Sequence, residues 1–127
     1  MNEIITNITI GNWYLVDGKP VKVTAENIQH VTTSLCQPVP LTDQMLEDLG
    51  FEQMENRKEY HYLKCEGREY PFPFFIEYNA SNSSLFINEG LIPKPVRFLH
   101  EIQDALRLCN INRDIIVVDS NNGKGKN

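Results

Sequence analysis

Hydrophobic and polar positions near the start of the chain predict a β-hairpin. Trp13–Val16 and Val21–Thr24 are short apolar and β-branched runs, and the pair Asp17-Gly18 lies between them. Asp-Gly readily adopts the positive φ angles that a tight hairpin turn requires. Pro20 has no backbone N–H to donate, so we expect it at the beginning of the second strand or on an edge.

Two short helical segments are predicted next. Thr24 suits the N-cap position of a helical turn over Ala25–Val31. Thr42 suits the same position for a helix over Asp43–Leu49, which has an apolar stripe and an acidic residue in its first turn. Gly50 is expected to end this helix, because glycine readily takes the left-handed conformation there.

The middle of the chain is predicted to form strands. Glu59–Glu66, Phe72–Tyr78 and Ser84–Asn88 are rich in aromatic and β-branched residues. Asn79–Ser83 has the polar composition of a hairpin loop between the last two. Ile115–Val118 has the pattern of one more short strand.

The longest amphipathic segment is Pro95–Asn110, which is predicted to be a helix. Its apolar residues fall on one continuous helical face; they are Phe98, Leu99, Ile102, Ala105, Leu106 and Cys109. The other side carries Arg97, His100, Glu101, Asp104 and Arg107. Pro93 precedes this helix and Pro95 begins it, in the first turn where a missing N–H is tolerated.

These elements predict an α+β fold. We expect a small antiparallel sheet, made of the N-terminal hairpin and the central strands, packed by a C-terminal amphipathic helix and one short helix. Residues 1–119 are expected to form a single domain. Residues 120–127 contain no apolar side chain and are expected to form a flexible polar tail.

Charge and composition narrow the possible partners. The chain has 127 residues and a net charge of −5, with acids outnumbering bases 17 to 12, which disfavours nucleic-acid binding. The N-terminus lacks the pattern of a signal peptide, and no apolar run approaches the roughly 20 residues that span a bilayer. Three widely spaced cysteines fit reduced thiols. We therefore expect a cytoplasmic protein without a membrane partner.

No catalytic, cofactor or metal signature is found. His61 and Cys65 share a face if they lie on a strand, but zinc sites usually show closely spaced ligand pairs, which this chain lacks. His100 lies on the polar side of its helix without a nucleophile in an evident relation to it. Gly123-Lys124-Gly125-Lys126 lacks the remaining residues of a phosphate-binding loop. We therefore expect no catalytic residue, no cofactor and no metal.

The most unusual local composition is Tyr70-Pro71-Phe72-Pro73-Phe74-Phe75. Strand alternation would place Phe72 and Phe74 on one side and Phe75 on the other. Such a strand is either covered on both sides or offers one side to a partner. Both readings remain open: core aromatics, or an exposed aromatic patch for a protein or a planar ligand.

Four stretches in order carry a family resemblance. They are Ile10–Trp13 (IGNW), Pro38–Thr42 (PVPLT), Leu49–Phe51 (LGF) and Val96–Gln103 (VRFLHEIQ). The set resembles a family of short uncharacterised proteins from gut anaerobic bacteria, their prophages and phages, with an IGN…PIPLT…GF…VKYVHQLQNLY-like motif series. The resemblance covers residues 10–118 and implies a small accessory protein of a mobile element. It marks His100 and Gln103, which match the family pattern and are expected on the polar side of the helix. At Asp104-Ala105-Leu106 the chain departs from the aromatic residues common in the family.

The functional expectation is a non-enzymatic protein-interaction module of phage or mobile-element origin, with a protein partner. The candidate interaction residues are Tyr70, Phe72, Phe74, Phe75, His100 and Gln103. The alternative is a small-ligand, nucleotide-type binding protein that uses aromatic stacking surfaces, namely Trp13, Tyr60, Tyr62 or Phe75. An enzyme of unknown class is the third hypothesis. The sequence leaves the oligomeric state open.

Overall fold

The chain divides into two compact units. The computed structural model describes residues 5, 7–65, 74–88 and 90–118. Unit 1 comprises Met1–Pro40 and Phe98–Asn127, and unit 2 comprises Leu41–Arg97. In chain order the elements are β1 (Trp13–Val16), β2 (Lys19–Lys22), α1 (Ile28–Thr32), β3 (Cys36–Pro38), α2 (Asp43–Asp48), β4 (Glu52–Gln53), β5 (Tyr60–Cys65), β6 (Phe74–Asn79), β7 (Ser84–Ile87), β8 (Gly90–Leu91) and α3 (Leu99–Leu108).

The predicted hairpin is confirmed as β1 and β2 of unit 1, but its second strand is Lys19–Lys22 rather than Val21–Thr24. Asp17 and Gly18 connect the strands with φ angles of 52° and 85°, the left-handed pair of a type I′ turn. Pro20 lies inside β2, opposite Leu15. This strand is at an edge of the three-stranded antiparallel sheet, whose order is β2-β1-β3, so the missing N–H is tolerated.

Unit 1 has its own hydrophobic core. Five buried residues form it, and they are Tyr14, Val16, Val23, Val31 and Cys36. Val31 comes from α1, which begins three residues after the expected position. The reason is a reciprocal pair of hydrogen bonds: the backbone N–H groups of Thr24 and Asn27 each donate to the other's side-chain oxygen, which holds an extra turn before the helix.

The C-terminal helix is confirmed, but it is shorter than predicted. It begins at Leu99 rather than Pro95, because Phe98 is extended, forms an isolated β-bridge with Pro40 and donates its backbone N–H to the Glu101 carboxylate. The predicted apolar face is buried at Leu99, Ile102 and Leu106. This helix contacts β1 within unit 1.

The prediction of a strand over Ile115–Val118 is wrong for the structure described. These residues form no ladder with any described strand. The segment is instead fixed by side chains: the Trp13 indole N–H donates to the carbonyl of Ile115 at 3.0 Å, and the Lys22 ammonium lies 2.8 Å from the Asp114 carboxylate. The expected tail at 120–127 lies outside the described residues.

Unit 2 begins with the helix predicted from Thr42. The Thr42 hydroxyl accepts the backbone N–H of Met45, which confirms the N-cap. At the other end Gly50 has φ 101°, and the N–H groups of Gly50 and Phe51 donate to the carbonyls of Glu47 and Leu46. This arrangement satisfies the last helix carbonyls and places Phe51 in a buried position.

Unit 2 is built on a five-stranded antiparallel sheet of order β4-β5-β6-β7-β8. Side chains alternate across it, and one face is buried. That face carries His61, Leu63, Cys65, Ile76, Tyr78 and Leu85. The opposite side of the sheet, which we call the outer face, carries Glu52, Tyr62, Phe75, Glu77, Phe86 and Leu91.

The α+β class predicted from the sequence is confirmed, with two antiparallel sheets and three helices among the described residues. The hairpin and the central strands belong to separate sheets. No helix in the described ranges is long and apolar enough to cross a membrane.

Candidate interaction face of the five-stranded sheet

The outer face of unit 2 is crossed by one continuous row of side chains. The strand register pairs Glu52 with Tyr62, Tyr62 with Glu77, Glu77 with Phe86 and Phe86 with Leu91. Acidic and aromatic residues therefore alternate over four strands, and the row ends on leucine. Phe75 lies in the next row, opposite Lys64.

Several apolar side chains of this face are accessible to solvent. Phe75 is 45% exposed and Leu91 is 58% exposed, while Tyr62 and Phe86 are half-buried. The water-facing side of an antiparallel sheet normally carries polar residues. Exposed aromatic and aliphatic groups that share one face mark a candidate interaction surface.

A cavity of about 620 Å³ opens on this face. Its walls include two aromatic rings and a thioether, from Tyr62, Phe75 and Met54. Three carboxylates, from Glu52, Glu55 and Glu77, also line it. Within the part of the chain that the structure describes, the lining contains neither lysine nor arginine. The cavity thus combines apolar walls with negative charge.

Two basic residues lie close to the outer face. Lys64 is the cross-strand neighbour of Phe75. The Arg57 guanidinium lies 4.5 Å from the centroid of the Tyr60 ring. The Tyr60 ring is among the stacking surfaces that the sequence predicts, and the arginine covers one of its sides.

The aromatic segment predicted as an interaction site is divided by the structure. Phe75 points to the outer face, whereas Phe74 pairs with Cys65 and lies on the inner side with Ile76. The expected alternation is therefore confirmed for the described part of β6. Tyr70 and Phe72 lie outside the described residues.

Gln103 was expected on the polar side of the C-terminal helix, and that placement is wrong. It is 6% exposed. Its side-chain oxygen accepts the backbone N–H of Trp13 at 3.1 Å, and its side-chain N–H donates to the carbonyl of Gly11 at 3.3 Å. A helical phase read from apolar residues misses a glutamine that is buried to satisfy a neighbouring strand.

His100 is half-buried in unit 1. Its ring centroid lies 5.3 Å from that of Tyr14, and it stacks nearly parallel to Phe98 with the centroids 6.1 Å apart. The imidazole therefore packs within unit 1 beside the buried Tyr14. Its role as an interaction residue stays a prediction.

A polar network next to Gln103 links the Gly11-Asn12 pair to α3. Asn12 is fully buried, donates to the carboxylate of Asp104 at 2.8 Å and accepts a hydrogen bond from the Arg107 guanidinium. Arg107 also contacts Asp104 at 3.2 Å. The Gly11-Asn12 pair lies in one of the stretches that carry the family resemblance, and α3 begins in another of them. These hydrogen bonds connect the two stretches.

The described histidine, cysteine and acidic residues are the groups that bear on metal binding and nucleophile chemistry. They contain no group of three or more His, Cys, Asp or Glu that could hold a metal ion. His61 is buried, and its Nε2 lies 3.3 Å from the Asp43 carboxylate. Burial raises the pKa of the Cys36 thiol, and the Asp17 carboxylate raises it further; burial also raises the pKa of Cys109. Raised pKa values keep these thiols protonated and weakly nucleophilic.

Comparison with protein-family models, curated proteins and solved structures finds no match to this chain.

The outer-face row contains residues that the sequence-based prediction did not name as a site. Glu52, Glu77, Phe86 and Leu91 lie on four different strands, and only the register brings them together. The available signal for this site was the two-residue spacing of Phe75 and Glu77, which puts both on the same face of β6. It gives the face of each residue, but it does not give the strand order.

Proposed function

We propose that this chain is a non-enzymatic protein-interaction module that binds a partner protein through the outer face of unit 2. The observation that carries this proposal is the exposure of Phe75 beside a cavity, on the same sheet face as Leu91. Aromatic anchors and pockets of this kind contribute most of the binding energy in many interfaces. A phage or mobile-element origin is proposed from the motif resemblance alone.

A comparison of two variants tests this function. Phe75→Ala removes an exposed ring from the outer face, and Leu108→Ala removes an exposed side chain that is 89% accessible in unit 1. A photocrosslinking residue at position 86 is introduced into the wild type and both variants. We expect one crosslinked partner for the wild type and for Leu108→Ala, and a clear loss of it for Phe75→Ala.

Thermal unfolding of each variant accompanies the crosslinking, so that a loss of fold is distinguished from a loss of binding. Equal crosslinking by Phe75→Ala and the wild type would contradict the proposal. So would crosslinks that form equally well from an exposed position of unit 1, such as Glu26.

A second candidate function is small-ligand binding in the same cavity. It is favoured by one observation: Tyr62 and Phe75, both considered as stacking surfaces, line a single cavity. Three carboxylates there oppose the phosphates of a nucleotide, so a planar cationic ligand suits the lining better. A thermal-shift screen with nucleotides, nucleosides and small organic cations tests this, since a ligand at 100 times its Kd adds about 2.7 kcal/mol of stability.

A further inference from the structure

The residues that line the outer-face cavity favour a positively charged group over a negatively charged one. Glu52, Glu55 and Glu77 contribute three carboxylates around the rings of Tyr62 and Phe75. An anionic group placed there would be repelled by all three. A cationic group would gain attraction from the carboxylates and from the negative faces of the aromatic rings.

The geometry of the row also indicates the size of the occupant. Adjacent strands lie about 4.8 Å apart, so the row from Glu52 to Leu91 is about 19 Å long. That length exceeds a single amine and matches a short peptide segment. Beyond the cavity the row continues with Phe86 and Leu91, which can contact apolar side chains of such a segment.

The spacing of the two carboxylates in the row indicates the spacing of the positive charges on the occupant. Glu52 and Glu77 are separated by the strand that carries Tyr62, and thus by about 10 Å. In an extended chain, residues two positions apart share a face and lie about 6.6 Å from each other, at about 3.3 Å per residue. Because lysine and arginine side chains are long and flexible, two basic residues two positions apart can reach both carboxylates.

We infer that the partner segment bound by the outer face is basic, and that one of its lysine or arginine side chains occupies the cavity between Tyr62 and Phe75. This inference rests on the proposed function. The net charge of −5 favours approach of such a segment, because opposite net charges speed association. The partner is thus a protein with an exposed basic stretch that also contains apolar residues.

The test uses synthetic hexapeptides and the full chain. One peptide has two arginines two positions apart and a leucine at the next position on the same face, and its counterpart has glutamate in place of both arginines. We expect fluorescence anisotropy to detect binding of the arginine peptide only. Its affinity should fall as salt increases from about 50 to about 300 mM, since exposed ion pairs are screened.

Charge-removing variants locate the bound cation. Glu77→Gln should weaken binding by about threefold, and the double variant Glu52→Gln with Glu77→Gln by about tenfold, as expected for exposed ion pairs. Glu26→Gln is the matched control, because it removes one exposed carboxylate from unit 1. It should leave the affinity unchanged.

Three results would overturn the inference. They are an absence of arginine-peptide binding, equal weakening by Glu26→Gln, and equally tight binding of free arginine, which would make the site a small-cation pocket. The proposed function has a separate outcome. If crosslinking to a partner depends on Phe75 but is insensitive to salt and to Glu77→Gln, the interaction module stands and its basic partner does not.

Discussion

The side-chain amide of Gln103 bridges the backbone of Trp13 and Gly11, accepting from the N–H of the first and donating to the carbonyl of the second. One helical side chain thereby completes the hydrogen bonding of the chain where it enters β1. Gln103→Ala should therefore lower the free energy of unfolding by about 2 kcal/mol, because two backbone groups lose their partner.

Urea denaturation measures this effect. Gln29→Ala is a suitable control, since Gln29 is an exposed residue of α1 in the same unit and should change stability by less than about 0.5 kcal/mol. If the two variants are equally stable, Gln103 contributes no more than a surface residue, and the explanation offered for its burial fails.

A second prediction concerns the stability of variants at Gly18, in the hairpin turn. Gly18 has φ 85°, and no atom lies within 4 Å of the position that a Cβ would occupy, so a substitution there meets backbone strain without a steric clash. Gly18→Ala should cost about 1 kcal/mol, whereas Gly18→Asn should cost less, because asparagine tolerates the left-handed region better. Thermal unfolding of both variants gives the comparison, and equal losses would count against a purely conformational cause.

The Lys22–Asp114 pair predicts a pH effect with a definite sign. The hydrogen bond from Lys22 lowers the pKa of the Asp114 carboxyl below its ordinary 3.8. A depressed pKa gives stability that is present above the unfolded-state value and is lost as pH falls through the folded-state value. In Lys22→Met the pKa should return toward 3.8.

NMR titration of the Asp114 carboxyl carbon measures this change. Because the carboxylate is 76% exposed, the contribution to stability should be only about 0.3 kcal/mol and should decrease in high salt. An unchanged titration in Lys22→Met would show that the lysine is not the cause.

The three cysteines should react with a thiol reagent in a fixed order. Cys109 is half-buried, while Cys36 and Cys65 are buried. At about pH 8 a thiol reagent should modify Cys109 first, and more slowly than free cysteine, because its raised pKa reduces the thiolate fraction. Cys36 and Cys65 should react only as the chain unfolds. Mass spectrometry of labelled peptides assigns each phase, and Cys109→Ser should remove the first one.

The raised thiol pKa values also affect stability at high pH. The folded state retains these protons more strongly than the unfolded state does. The corresponding stability is therefore complete below the unfolded-state pKa of the thiols and decreases as pH rises through the folded-state value.

Local signals in the sequence were sufficient for the elements that local chemistry determines. Asp17-Gly18 specified its turn, and Thr42 with Gly50 specified both ends of α2. The beginning of α3 was misjudged because its N-cap is Phe98, an apolar residue that is extended through a bridge to Pro40, far earlier in the chain. No local rule identifies such a cap.

The candidate site was harder to predict than the fold. Phe75 could be assigned to a face by alternation, and Tyr62 was considered only as one of several stacking surfaces. Their association with Glu52 and Glu77 depends on strand register, which long-range pairing determines. Gln103 shows the converse case, in which a residue marked by resemblance supports the backbone instead of facing outward.

The connections of unit 2 have a consequence for engineering. Its first residue, Leu41, donates its backbone N–H to the carbonyl of its last, Arg97, at 3.0 Å, and the flanking Pro40 and Phe98 form a β-bridge in unit 1. The first and last residues of unit 2 are thus adjacent to each other. Insertions whose ends meet in this way can be exchanged without stretching the host. We expect that unit 2 can be replaced by another domain with adjacent termini, and that unit 1 then retains its sheet and helix.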